Sequence, residues 1–99
     1  MKKIVLFCSQ GMSTSMIVKK MEEAAKSKNL EYNIQAYALS EVETVAPQAD
    51  FVLLGPQIRF QLDRVKNYCK CDIEVIDSRQ YGLMDGAGLI NHIYEKIGD

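Results

Sequence analysis

Lys3-Ile4-Val5-Leu6-Phe7-Cys8 runs directly into Ser9-Gln10-Gly11-Met12-Ser13-Thr14-Ser15. An apolar run breaks at a cysteine into glycine and hydroxyl residues, and an apolar pattern with helical spacing follows at once. The order reads strand, loop, helix, the opening unit of an α/β fold. It also sets Cys8 beside a helix N-terminus. Unpaired N–H groups and the helix dipole favour negative charge there, and a thiol so placed is drawn towards its nucleophilic thiolate. The same amides can receive the oxygens of a phosphoryl group. Cys8 therefore reads as a residue that carries phosphate.

The same alternation continues along the chain. Residues 14–28 predict a helix with Ile17, Met21, Ala24 and Ala25 on one face, and Asn29 as its stop. Residues 31–37 alternate, with Tyr32, Ile34 and Ala36 on one side. Ser40-Glu41-Val42-Glu43 predicts a capping box opening a short helix that Pro47 ends. Phe51-Val52-Leu53-Leu54 is continuously apolar, as in a strand buried on both faces. Gly55-Pro56 starts a third helix with Ile58, Leu62 and Val65 as its stripe. Ile73-Glu74-Val75-Ile76 predicts a fourth strand, and Asp85 caps a last helix with Ile90, Ile93 and Ile97 inward.

This βαβαβαβα pattern predicts a single α/β domain over residues 1–99, a four-stranded parallel sheet with helices on both faces in three layers. Strands one and three are solidly apolar and belong at the centre; strands two and four carry polar residues and belong at the edges. With right-handed crossovers the order is 2-1-3-4. The strand order then reverses between strands one and three, and ligands bind at the carboxyl ends of strands at such a switch point. The loop after Cys8 and the Gly55-Pro56-Gln57 turn meet there.

Composition narrows the function classes. Net charge is −1, from 12 basic and 13 acidic residues well mixed, which gives neither a basic field for nucleic acid nor a polybasic tether for membranes. No apolar run is long enough to enter and cross a bilayer. The start, Met1-Lys2-Lys3-Ile4-Val5-Leu6-Phe7, is too short for a secretion signal and lacks a small-residue cleavage site. Three cysteines form no disulfide framework, and a reducing cytoplasmic setting fits them. Cys69-Lys70-Cys71 with His92 lacks four well-spaced ligands, so no metal and no cofactor is expected.

No Lys, Arg, Asp or Glu lies between Cys8 and Val18. A bound phosphoryl group would be held by backbone N–H groups of the loop Ser9, Gln10, Gly11, Met12, Ser13, Thr14 and Ser15, with its Ser and Thr hydroxyls. Gly11 allows the positive φ that lets successive amides converge. A P-loop nucleotidase needs Gly-Lys-Ser/Thr, which is missing. A Cys-dependent phosphatase of the low-molecular-weight type, or an arsenate-reductase-like enzyme, needs an Arg closing the loop, and Thr14 stands there. Without that bidentate clamp the phosphoryl group is held moderately and can be handed on. A non-catalytic regulatory module with an inert Cys8 stays open as a rival. A receiver domain is disfavoured, because its acceptor Asp should end strand three, where Leu54-Gly55 stands.

Cys-Ser-Gln-Gly-Met-Ser-Thr-Ser after a first strand resembles the phosphorylation loop of IIB subunits from the lactose/cellobiose (also chitobiose) branch of the phosphoenolpyruvate-dependent sugar phosphotransferase system (PTS). Val52-Leu53-Leu54-Gly55-Pro56-Gln57-Ile58 matches too, as does Val75-Ile76-Asp77-Ser78 with Tyr81-Gly82 and Asp85-Gly86. The resemblance runs colinearly over essentially the whole chain. It implies a cytoplasmic phosphotransferase subunit, peripheral to the membrane through its permease. Cys8 would accept a phosphoryl group from a phosphohistidine of the IIA subunit. It would pass that group to a sugar carried by the membrane permease IIC, in the class of cellobiose, chitobiose or lactose. Pro56, Gln57, Asp77, Tyr81 and Met84 are candidate rim or partner contacts. Asp77 and Asp85 also suit a turn and a helix cap respectively.

Overall fold

The computed structural model describes residues 1–9 and 15–98. Four parallel strands, β1 (Lys2–Cys8), β2 (Tyr32–Ala38), β3 (Phe51–Leu54) and β4 (Asp72–Val75), form one sheet in the order β2-β1-β3-β4. The predicted order and the switch between β1 and β3 are both present. β1 is the spine of the sheet. Ile4 pairs with Ile34 on one side and Phe51 on the other, and Phe7 pairs with Tyr37 and Leu54.

The pleat of β1 sends alternate side chains to two cores. Ile4 and Leu6 join Phe51 and Leu53 under helices α1 (Ser15–Ser27) and α5 (Gly86–Ile97), against Ile17, Met21, Ile90 and Ile93. Val5 and Phe7 join Val52 and Leu54 under the opposite layer, against Val42, Val45, Ile58 and Val65. Ile4, Val5, Leu6 and Phe7 are each 0% exposed. Full burial of such side chains contributes ~1.5–3 kcal/mol apiece, so no other register of this strand competes.

α1 ends as its sequence predicts. Asn29 takes φ 59. Its N–H donates to Lys26 O at 3.0 Å, and the Leu30 N–H donates to Ala25 O at 2.9 Å. This pair of bonds satisfies the last carbonyls of the helix, with an Asn in the left-handed position that Gly usually fills.

Three local expectations are corrected. The capping box does not start at Ser40. A 3₁₀ turn over Leu39–Glu41 comes first, Glu41 Oε2 accepts the Ala38 N–H at 3.3 Å, and α2 is only Val42–Val45. The cause is Leu39, which packs against the second core and draws the turn forward. The third helix is not continuous from Pro56. Pro56–Gln61 is a 3₁₀ segment broken at Ile58 (φ −118°, ψ 25°), and α3 is Leu62–Lys66. Ile58 leaves helical geometry to put its side chain in the core, where it is 4% exposed. β4 begins one residue earlier than expected, and a short helix α4 (Ser78–Gly82) follows it, capped by Asp77. Its length is little more than one turn, too short for an apolar period to show in sequence.

α5 meets α1 through Gly86. A Cβ at Gly86 would lie 2.5 Å from Lys20 C and 2.6 Å from Met21 N, inside the backbone of α1. Gly86→Ala must push the two helices apart. The expected loss is about 2–3 kcal/mol, seen as a fall in melting temperature of roughly 10–20 °C for a domain of this size.

Candidate functional site

β1 delivers Cys8 to the carboxyl edge of the sheet, opposite Ala38 of β2. The residue is 3% exposed. On its other flank the Gly55 N–H donates to Phe7 O at 3.0 Å. A Cβ on Gly55 would lie 3.9 Å from Cys8 Cβ and 2.9 Å from Gln57 Oε1. The backbone of Gly55 thus packs beside the cysteine, and the Gln57 amide folds over Gly55. The two strand ends at the topological switch point are in contact through these residues, where a parallel α/β sheet places its ligand. Ser9 is exposed directly after the strand, and Ser15 is the first residue of α1. Gln10, Gly11, Met12, Ser13 and Thr14 lie outside the described residues.

The other expected site residues divide into two groups. Pro56, Gln57 and Tyr81 share a pocket of about 280 Å³ with Arg59, Ser78 and Gly82. Pro56 is buried, and Arg59 Nη1 donates to its carbonyl oxygen at 3.1 Å. Asp77 does not line that pocket; its carboxylate accepts the Gln80 N–H at 3.3 Å as the cap of α4. Met84 faces elsewhere. With Leu83 it borders a groove of about 530 Å³ against Lys20, Glu23 and Ala24 of α1. Met84 has φ 51, a conformation that L side chains avoid. It is held there because the Met84 N–H donates to Tyr81 O (3.1 Å) and the Asp85 N–H to Gln80 O (3.0 Å), which closes α4.

Asp85 is the expected cap. Its Oδ1 accepts the Gly88 N–H at 3.0 Å and its Oδ2 accepts from Gln80 Nε2 at 3.3 Å. A Cβ at Gly88 would come within 2.2 Å of Asp85 Oδ2, so the cap depends on the missing side chain. Sequence reasoning passed over Arg59, and it quoted Ser78 and Gly82 only within a matching segment, with no site role. Treating the residues after Gly55-Pro56 as one regular helix hid Arg59; the i to i+3 spacing from Pro56 was the available signal.

Cys69 and Cys71 lie away from this edge. The Cys69 thiol donates to Val65 O at 3.3 Å, and burial pushes its pKa up. Burial, then Cys69, Asp50 and Asp72, push Cys71 up to about 11. His92 Nε2 bonds Glu74 Oε1 at 2.6 Å and ties α5 to β4. Among the described residues no group of three or more His, Cys, Asp or Glu is placed to hold a metal ion. No helix among them is long and apolar enough to cross a membrane.

Residues 3–92 match the family model described as "PTS system, Lactose/Cellobiose specific IIB subunit". The chain belongs to that family. It is 43% identical over 89 residues to the oligo-beta-mannoside-specific EIIB component of Bacillus subtilis (strain 168), covering 87% of this chain and 86% of that protein. It is 36% identical over 93 residues to the cellobiose-specific EIIB component of Lactococcus lactis subsp. lactis (strain IL1403), covering 86% of each. The solution structure of the cellobiose-specific IIB component from Borrelia burgdorferi superposes with TM-score 0.79 at 37% identity, over 97% of this chain and 91% of that one. The lactose-specific IIB domain from Streptococcus pneumoniae reaches TM-score 0.83 at 14% identity over 95% of each, a likeness of fold. This IIB chain is therefore a subunit of a sugar phosphotransferase system.

Two outcomes test the site. Gly55→Ala is expected to fold with its melting temperature little changed, because Gly55 already has φ −61° and only the flexible Gln57 amide must move. An amide-resolved NMR spectrum would then show Gln57 displaced. Cys71 is expected to resist alkylation near neutral pH. Its stabilising contribution is complete below the ordinary thiol value of 9.0 and is lost as pH rises towards about 11, because the unfolded thiol ionises first. Alkylation rates and melting temperatures across that window, compared with Cys71→Ala, check it.

Proposed function

We propose that Cys8 is the phosphorylated residue of this IIB subunit. It takes a phosphoryl group from a phosphohistidine of a cognate IIA subunit and passes it to a sugar bound in a membrane IIC permease. The reading rests on one observation. Cys8 ends the central strand at the switch point of the sheet, buried and beside Gly55. Chemically, the thiolate attacks phosphorus in line, the S–P bond forms as the N–P bond breaks, and the imidazole leaves. In the second step a sugar hydroxyl forms the O–P bond as the S–P bond breaks, and the hydroxyl proton goes to a base. That base need not lie on this chain. Ser9, Gln10, Gly11, Met12, Ser13, Thr14 and Ser15 supply amides and hydroxyls to the phosphoryl oxygens. The protein works in the cytoplasm and reaches the membrane only through IIC.

Relatives named for oligo-beta-mannosides, galactose and cellobiose are 43%, 36% and 36% identical to this chain. The sugar is accordingly proposed as a β-linked disaccharide, selected mainly by the permease that contacts it. Incubation with the general phosphotransferase proteins and a phosphorylated IIA is expected to add one phosphoryl group, which mass spectrometry locates on Cys8. Cys8→Ala should abolish labelling. Undiminished labelling of that variant would refute the assignment.

A further inference from the structure

We propose that the pocket beyond Gly55 receives the phosphoryl group of the incoming donor, with the Arg59 guanidinium as its cationic contact. The proposal rests on the reading of Cys8 as acceptor and adds a capture site in front of it. Pro56, Gln57 and Arg59 form one wall of the pocket, and Ser78, Tyr81 and Gly82 the other. These lining residues carry a guanidinium, an amide and two hydroxyl side chains, and no carboxylate. Asp77 is next in sequence to Ser78, but its carboxylate is engaged by the Gln80 N–H.

Arg59 is held at the rim. Its Nη1 donates to Pro56 O at 3.1 Å, which uses one of five N–H donors in a planar fork. That fork matches phosphate geometry. The chain from Cys8 to Val18 brings no charged side chain, so positive charge reaches this edge of the sheet from across β3. The pocket neighbours the cysteine through Gln57 and Gly55: Gln57 lines the pocket, its Oε1 lies where a Gly55 side chain would stand, and Gly55 is beside Cys8. A guanidinium in the neighbouring pocket, set apart from Cys8 by Gln57 and Gly55, acts on capture of the donor and leaves the bond-making step alone. A clamp at the sulfur would hold the phosphoryl group after transfer; a rim cation attracts it beforehand and then lets it go.

The test compares the full-length parent, Arg59→Gln, Arg59→Lys and Cys8→Ala. Initial rates of phosphoryl transfer from phosphorylated IIA are measured against donor concentration at several ionic strengths. Arg59→Gln is expected to raise KM roughly three- to tenfold, with kcat nearly unchanged and a flatter salt dependence. Arg59→Lys should recover part of the loss, since it keeps the charge without the fork. Separately, inorganic phosphate is titrated into the isotope-labelled protein. Shifts at the Arg59 Nε–H and at the Tyr81 and Gly82 amides are expected in the parent and in Cys8→Ala, and the Tyr81 and Gly82 amides are expected not to shift in Arg59→Gln. Parent-like KM and salt dependence in Arg59→Gln would overturn the proposal, as would phosphate shifts that leave these signals still. Movement of the same signals by cellobiose but not by phosphate would overturn it in favour of a sugar site. If the donor labels no chain at all, the cysteine reading fails, and the phosphate titration still decides the pocket.

Discussion

Everything at the working edge of this protein depends on β1 being buried on both faces. Ile4, Val5, Leu6 and Phe7 have no exposure, and their side chains divide between two cores that lie on opposite sides of the sheet. A one-residue slip would exchange the two sets of side chains and break both layers. The strand is therefore pinned in register, and Cys8 emerges at a fixed height beside the end of β3. A nucleophile gains from such support, since a reacting atom needs placement within a fraction of an ångström.

The second determinant is the close approach at Gly55. Cys8 ends β1 and Gly55 directly follows β3, and the absence of a side chain at Gly55 leaves room for the Gln57 amide. The next residues do not form a regular α-helix. Proline starts a 3₁₀ segment and Ile58 turns into the core. That break keeps Gln57 and Arg59 at the sheet edge rather than winding them away along a helix. Packing of one isoleucine thus shapes the surroundings of the cysteine.

The opposite side of the site is built with equal dependence on glycine. Gly86 lets α5 touch the backbone of α1, and Gly88 lets Asp85 fold over the start of its own helix. Between α4 and α5, Met84 accepts a left-handed conformation because two backbone bonds close the turn around it. The consequence is that Leu83 and Met84 stand out beside α1, while Tyr81 packs against the core under α1 and α5 and lines the pocket beyond Gly55. Two residues three positions apart thereby serve different surfaces.

How much was legible beforehand follows from the range of each interaction. Apolar runs, the helix stop at Asn29 and the cap at Asp85 are set by neighbours in the chain, and the amino-acid sequence alone determined them. The strand order was also readable, since fully apolar strands must lie inside a covered sheet. Cys8 was legible because its neighbours announce a strand ending at a loop and a helix. The tertiary structure alone decided the forward shift of the turn at Leu39, the break at Ile58, and the meeting of Arg59 with Ser78 and Tyr81. Each depends on a side chain finding space in a core or across a strand, made by residues far away in sequence, and local propensity carries no information about such space.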